Sequence, residues 1–119
     1  MLIVYASKTG NVQRFVKKTG FRSVRISNAL RVTVPFVLVT YTTGFGKVPD
    51  EVLSFLSANH KFMQGVASSG NRNWGGLFGI SANKISEQYS VPIISKFEMS
   101  GTPSEVELFI QEVNKIESH

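Results

Sequence analysis

The chain has 119 residues, so we expect one compact domain over residues 1–119. A hydrophobic content of 42% with 18% charged residues is typical of a globular protein and excludes intrinsic disorder. Because cysteine is absent, disulfides, thiolate metal sites and dithiol redox chemistry are excluded, and any redox role would need a cofactor. The apolar run at residues 1–6 is too short for a signal peptide or a membrane span, which favours a cytoplasmic protein without a membrane partner.

Charge is distributed unevenly along the chain, whose net charge is +5. Residues 1–49 contain eight basic residues and no acidic one, whereas residues 50–119 contain five basic residues and all eight acidic ones. This asymmetry predicts a basic face that attracts an anionic group or partner. A solvated basic surface without a partner is the alternative.

The first predicted elements alternate between strands and a helix. Residues 2–6 form an uninterrupted apolar run, which is typical of a strand buried on both faces of a parallel sheet. Residues 11–18 repeat apolar side chains at helical spacing, residues 21–26 alternate like an edge strand, and residues 36–41 form a second apolar run. Only residues 27–35 remain between the last two strands, so we expect a shortened crossover there.

The second half continues the alternation. Helices are predicted at residues 49–58, at residues 77–89 and from Pro103 onward, and strands at residues 62–67 and 91–97. This order predicts an α/β fold with a parallel five-stranded sheet covered by helices on both faces.

Four polar or glycine-rich loops follow predicted strands, at residues 7–11, 42–46, 68–76 and 98–102. Ligands of open α/β sheets bind at the carboxyl ends of the strands, so we expect these loops to converge on one site. Their convergence is stronger evidence for a ligand site than any single loop.

The first loop combines the residue types that bind a phosphate monoester. It consists of Ser7, Lys8, Thr9, Gly10 and Asn11, and so offers hydroxyl groups, an amide and the N–H groups of a helix N-terminus. A simple N-capping turn is the alternative. The glycine motifs of dinucleotide and nucleoside triphosphate sites are absent, and no carboxylate precedes position 50 to hold Mg²⁺.

These segments resemble a known family. The first strand, the loop at 7–11 and the loop at 42–46 resemble flavodoxins. The segments S-G-N-R-N-W-G at 69–75 and F-E-M-S-G-T at 97–102 resemble NrdI proteins, the flavodoxin-like activators of class Ib ribonucleotide reductase. The resemblance spans nearly the whole chain. It implies a flavodoxin-like sheet in the order 2-1-3-4-5 and flavin mononucleotide (FMN) as the cofactor.

The resemblance also implies which residues hold the cofactor. They are Ser7, Lys8, Thr9, Gly10, Asn11, Val12, Tyr41, Thr42, Thr43, Gly44, Phe45, Gly46, Ser68, Ser69, Gly70, Asn71, Trp74, Gly75, Phe97, Glu98, Met99 and Gly101. Flavodoxins usually carry threonine where this chain has Val12, so one hydroxyl donor to the phosphate is lost.

Three of these residues have specific expected roles. Gly44 is expected beside the redox edge of the flavin, where glycine lets a peptide turn at low steric cost. Trp74, the only tryptophan, is expected to stack on the ring, and backbone groups near Glu98 to bond its pyrimidine edge. The alternatives are a plain glycine turn, a tryptophan packed under its loop and a simple strand-to-helix turn.

The resemblance implies a function carried out with a protein partner. Reduced flavin reacts with O₂ to yield an oxidant, superoxide, which passes to the dimanganese small subunit of the reductase and helps to form its tyrosyl radical; an external reductant must reduce the flavin. An ordinary flavodoxin that carries electrons between a reductase and an acceptor is the alternative. Nucleic-acid binding is disfavoured because no aromatic-basic pattern is present, and a metal site because His60 and His119 stand alone.

Overall fold

Five parallel strands and four α-helices form the part of the chain that the structure describes. The strands are β1 (Leu2–Tyr5), β2 (Ser23–Arg25), β3 (Phe36–Thr40), β4 (Met63–Gly70) and β5 (Ile93–Glu98), and the helices are α1 (Asn11–Thr19), α2 (Asp50–Asn59), α3 (Ile80–Tyr89) and α4 (Pro103–Glu117). The sheet order in this computed structural model is β2-β1-β3-β4-β5, which confirms the predicted fold class. The structure describes residues 1–118; His119, for which no metal role is expected, lies outside them.

Helices cover both faces of the sheet because its central strands are apolar on both sides. Along β1, Ile3 belongs to the core cluster under α1 and α4, whereas Val4 belongs to the cluster under α2 and α3. This follows from the alternation of side chains along a strand. In the first cluster the rings of Phe15 and Phe97 stack with centroids 3.6 Å apart, and Phe109 meets Phe15 edge-on.

The connection from β2 to β3 contains no helix, as predicted from its length. The side chain of Asn59, buried at the end of α2, holds this connection by hydrogen bonds. Its Oδ1 accepts from the Val32 N–H at 2.9 Å, and its Nδ2 donates to the carbonyls of Leu30 at 3.3 Å and Phe55 at 3.0 Å. Two backbone polar groups of the connection, the Val32 N–H and the Leu30 carbonyl, are thereby paired while Val32 reaches the core.

Two predicted boundaries differ from the structure by three residues. Strand β4 continues through Gly70 instead of ending at residue 67, because its last three residues pair with β5. Helix α3 begins at Ile80 instead of residue 77, because Gly79 has a φ of +59°, which no helix interior adopts. The segment before it, Arg72–Leu77, forms 3₁₀ turns that are interrupted at Gly75, whose φ of +56° and ψ of −122° are not helical. Within residues 1–118, no helix has the length and apolar character needed to cross a membrane.

Candidate functional site

Four loops meet at the carboxyl edge of the sheet. We call them the β1 loop (residues 6–10), the β3 loop (41–49), the β4 loop (71–79) and the β5 loop (99–102). They border a cleft of about 400 Å³, which lies within the range of small-molecule sites. The cleft lies between the ends of β1, β3 and β4, next to the point where the strand order reverses, as expected for an open α/β sheet.

Most of the residues predicted from the sequence line this cleft. They are Ser7, Lys8, Thr9, Asn11, Val12, Tyr41, Thr42, Thr43, Gly44, Ser69, Gly70, Asn71, Trp74 and Met99. Leu77 also lines it and was not predicted, because its apolar side chain carries no polar signal and was assigned to a helix. Which of these side chains contact a cofactor stays a prediction.

The other predicted residues lie outside the cleft wall. They are Gly10, Phe45, Gly46, Ser68, Gly75, Phe97, Glu98 and Gly101. The Phe97 side chain is fully buried against Phe15, since alternation along β5 turns it into the core. Phe45 points to solvent, whereas Ser68 is buried with its Oγ 3.4 Å from that of Thr42. The side chains of Phe97, Phe45 and Ser68 therefore do not line the cleft, and a cofactor contact through their backbone stays a prediction.

The β1 loop presents backbone donors at the start of α1. Gly10 is the N-cap residue, and the Gln13 N–H donates to the buried Ser7 Oγ at 3.3 Å. The first N–H groups of a helix have no intrahelical acceptor. Those of Asn11 and Val12 therefore provide donors at the positive end of the α1 dipole, where an anion is stabilised.

Two arginines support the β1 loop from outside the cleft. The Arg25 guanidinium donates to the carbonyl of Ser7, and Arg14 donates to Asn11 Oδ1 at 2.6 Å. The side chain of Val12 is buried in the core, which explains why an apolar residue occupies this position. An anion here would be bound by backbone N–H groups and the positive charge around them.

The β3 loop is a tight, closed hairpin. The Thr43 N–H donates to the Lys47 carbonyl at 2.9 Å, and the Lys47 N–H donates to the Thr43 carbonyl at 2.8 Å. Between them, Gly44 and Gly46 have φ values of +55° and +87°, a region that favours glycine. The loop is therefore held in one conformation by its own backbone.

Helix α3 fastens the β3 loop to the rest of the fold. The Ser81 N–H donates to Thr42 Oγ1 at 3.3 Å, and Ser81 Oγ donates to the Lys47 carbonyl at 3.2 Å. The Lys84 ammonium donates to the carbonyl of Gly46. Sequence reasoning missed Ser81, although a hydroxyl in the first turn of a helix that follows a polar loop is a usable signal.

The β4 loop is held by carboxylates from two other segments. Arg72 donates its backbone N–H to Glu98 Oε2 at 3.0 Å and its guanidinium to Glu105 Oε2 at 2.9 Å. Glu105 also accepts from the backbone N–H groups of Thr102, at 2.9 Å, and Glu98, at 3.2 Å. It is the capping-box residue of α4, so one carboxylate joins α4, the end of β5 and the β4 loop.

The phenol of Tyr41 lines the cleft and donates to Glu51 Oε2 at 3.4 Å. Burial, and then the negative charge of Glu51, raise the pKa of Tyr41 above its ordinary value, while Arg25 acts in the opposite direction. The phenol consequently remains a neutral hydrogen-bond donor at neutral pH.

The polarity of the cleft fits FMN. One end has the N–H donors and hydroxyl groups of the β1 loop, which suit a phosphate monoester. Away from it lie the partly exposed apolar side chains of Trp74, Leu77 and Met99, which suit a flat ring system. A phosphate on a polar chain attached to an aromatic ring has this same division of polar and apolar parts.

A sequence model described as NrdI flavodoxin-like matches residues 3–111. Protein NrdI of Bacillus licheniformis is 58% identical over 115 residues, covering 96% of this chain and 88% of that protein. The flavodoxin-like family implies FMN as the cofactor, as predicted.

Solved flavodoxins share the fold at low identity. Flavodoxin 1 of Bacillus cereus superposes with a TM-score of 0.76 at 17% identity and covers 99% of this chain and 97% of its own. A short-chain flavodoxin associated with a bacterial microcompartment gives a TM-score of 0.79 at 18% identity, covering 98% and 95%. The family match and the close relative together show that this chain belongs to the NrdI flavodoxin-like family.

Proposed function

We propose that the protein binds FMN in the cleft and uses its reduced form to supply superoxide to the dimanganese small subunit of class Ib ribonucleotide reductase. The supply of oxidant supports formation of the tyrosyl radical of that subunit, and an external reductant recharges the flavin. The site of action is the cytoplasm. The observation that carries the proposal is the polar-to-apolar cleft at the switch point of a chain that belongs to the NrdI family.

The β1 loop holds the phosphate in this proposal. Backbone N–H groups of Asn11 and Val12 donate to its oxygens, with the hydroxyl of Thr9 and the ammonium of Lys8 beside them. Because position 12 lacks a hydroxyl, the backbone carries more of the binding than in typical flavodoxins. Arg14 and Arg25 add positive charge from outside the cleft.

The ring lies between the β3 and β4 loops in this proposal. Trp74 provides a stacking surface, and the peptide at Gly44 lies along the redox edge. When bound and reduced, FMN supplies electrons to O₂ one at a time. The protein holds the ring in the cleft between these two loops.

Charge favours this proposal over an ordinary electron carrier. Flavodoxins that serve as carriers are typically strongly acidic and dock on basic partners, whereas residues 1–49 of this chain contain no acidic residue. The basic first half suits an acidic docking partner instead.

The first experiment tests flavin binding. The purified protein should show the visible spectrum of an oxidised flavin, and mass analysis of the released ligand should identify FMN. Protein that is colourless and takes up no added flavin would contradict the proposal.

The second experiment tests the activator function. Reduced protein is mixed with O₂ and the manganese-loaded small subunit, and tyrosyl radical is measured by electron paramagnetic resonance. Free reduced FMN is the control. Radical at the level of the flavin control would favour the electron-carrier alternative.

A further inference from the structure

We infer that Phe45, at the tip of the β3 loop, anchors the protein partner by entering an apolar pocket on that partner that is bordered by carboxylates. The inference rests on the proposed function, because it takes the reductase small subunit as the partner. It adds the contact residue and the chemistry of the surface that this residue meets.

Phe45 is the most exposed of the large apolar side chains in the described chain. Its side chain is 92% exposed, whereas the others that reach solvent are 37% to 52% exposed. A phenylalanine in water gains much from burial and has no polar atom that water could satisfy. Its full exposure in the isolated protein indicates that something else covers it.

The loop that carries Phe45 is held by hydrogen bonds on both sides of the ring. The reciprocal backbone bonds between Thr43 and Lys47 close it, and Ser81 and Lys84 bind its carbonyls from α3. A Cβ placed on Gly46 would lie 3.0 Å from Ile80 Cγ2, so the backbone is packed against α3 as well. Docking a side chain from a preordered loop loses little conformational entropy, which is characteristic of anchoring residues.

The position of Phe45 ties it to the cleft. The preceding residues Thr43 and Gly44 line the cleft, whereas the ring of Phe45 points away into solvent. Superoxide is short-lived, so a partner that receives it has to cover the mouth of the cleft. A partner seated there would also bury the tip of the β3 loop.

Charges around the tip indicate the chemistry of the partner. Lys47 and Lys84 are exposed, the first in the loop and the second bound to it. Lys8 lines a side pocket together with Lys47, where Asp50 and Glu51 from the first turn of α2 are the acidic members. Lys8, Lys47 and Lys84 together outnumber these two carboxylates, and this excess of positive charge near Phe45 matches a pocket rimmed by carboxylates.

The experiment measures binding of the FMN-loaded protein to the immobilised, manganese-loaded small subunit by biolayer interferometry. We expect Phe45→Ser to raise Kd by about tenfold or more, mainly through faster dissociation, as is typical of a hot-spot residue. Phe45→Leu should recover much of the affinity because it restores an apolar side chain. Leu108→Ser is the control, since Leu108 is 47% exposed on α4 and lines no part of the cleft; its Kd should stay within about twofold of the parent value.

A salt series tests the carboxylate border. Raising the NaCl concentration from about 50 to about 300 mM should slow association of the parent protein several-fold and change dissociation little. Association that does not respond to salt would overturn the acidic border.

The outcomes separate the anchor from the proposed function. Unchanged affinity of Phe45→Ser for a subunit that binds the parent protein would overturn the anchor and leave the proposed function standing. Loss of FMN from Phe45→Ser would also overturn the anchor, because it would show that the Phe45 ring supports the cleft. Absence of any binding by the FMN-loaded parent protein would contradict the proposed function itself.

Discussion

The β3 and β4 loops form facing parts of one cleft but are held in different ways. The β3 loop is closed by its own backbone and fastened by α3. The β4 loop is held from a distance, because Arg72 reaches carboxylates 26 and 33 residues away in sequence, on Glu98 and Glu105. One loop is thus shaped locally, whereas the other depends on a few charged contacts that single substitutions can remove.

This difference matters because Trp74, the expected stacking surface, lies on the loop that is held from a distance. Its position depends on Arg72, whose guanidinium lies 4.6 Å from the centre of the Phe78 ring and binds Glu105. The expected redox edge at Gly44 lies on the locally closed loop. We therefore expect substitutions to affect flavin stacking and flavin redox behaviour separately.

The largest expected effect comes from Glu105→Ala. It removes the Glu105 carboxylate from the capping box of α4, in which the Thr102 hydroxyl remains as the N-cap, and it removes the ion pair that holds the β4 loop. It should lower the free energy of unfolding by about 2 kcal/mol. Apparent FMN affinity should fall as well, because Trp74 is released. Urea unfolding and flavin titration measure the two effects. Glu105→Gln keeps an acceptor for the capping box but loses the ion pair with Arg72. It should therefore lower FMN affinity with a smaller loss in the free energy of unfolding.

The matched control for that prediction is Glu107→Ala, on the exposed face of the same helix. It should leave both quantities nearly unchanged. Equal FMN affinity in the parent protein and Glu105→Ala would show that Trp74 does not depend on this carboxylate.

Gly46→Ala tests the locally closed loop. At a φ of +87°, and with Ile80 Cγ2 only 3.0 Å from the new Cβ, we expect a loss of about 1–2 kcal/mol in the free energy of unfolding. The flavin midpoint potential should shift because the backbone beside Gly44 moves. Gly76→Ala is the control, since nothing lies within 4 Å of its added Cβ; equal losses in both variants would contradict the role given to the Gly46 backbone.

Ser81→Ala should have a smaller effect, of about 1 kcal/mol on the free energy of unfolding, because one hydrogen bond to the Lys47 carbonyl is lost. Hydrogen exchange in the β3 loop should become faster, while exchange in the β4 loop stays as it was. Ser104→Ala, at an exposed position of α4, is the control. Faster exchange in both loops would show that they are not independent.

The smallest expected effect is on the ionisation of Tyr41. Burial is the main cause of its raised pKa and Glu51 the second, so Glu51→Gln should lower this pKa only in part. Ultraviolet difference titration against a Tyr41→Phe background measures it. Because the pKa is raised in the folded state, the contribution of Tyr41 to stability is complete below about pH 10 and is lost as the pH rises further. A higher pKa in Glu51→Gln would contradict the repulsion from Glu51.

Sequence patterns predicted the elements well where the physics is local. The apolar runs of β1 and β3 and the periodicity of α1 and α4 could be read directly. The few residues between β2 and β3 predicted a shortened crossover. The extension of β4 to Gly70 could not be read, because Ser68 and Ser69 are polar and join the sheet only through pairing with β5. The late start of α3 depended on the backbone angle of Gly79, which composition does not reveal.

By itself, the sequence determined the parallel sheet, its glycine-rich loops and their place at one edge, because strand burial and turn chemistry depend on neighbouring residues. The tertiary structure alone decided which of those residues line the cleft. Phe97 turns into the core, Phe45 turns to solvent and Leu77 joins the wall. It also decided that Glu105 holds the β4 loop, because the contact between Glu105 and Arg72 joins segments that only the packing of α4 beside β5 brings together.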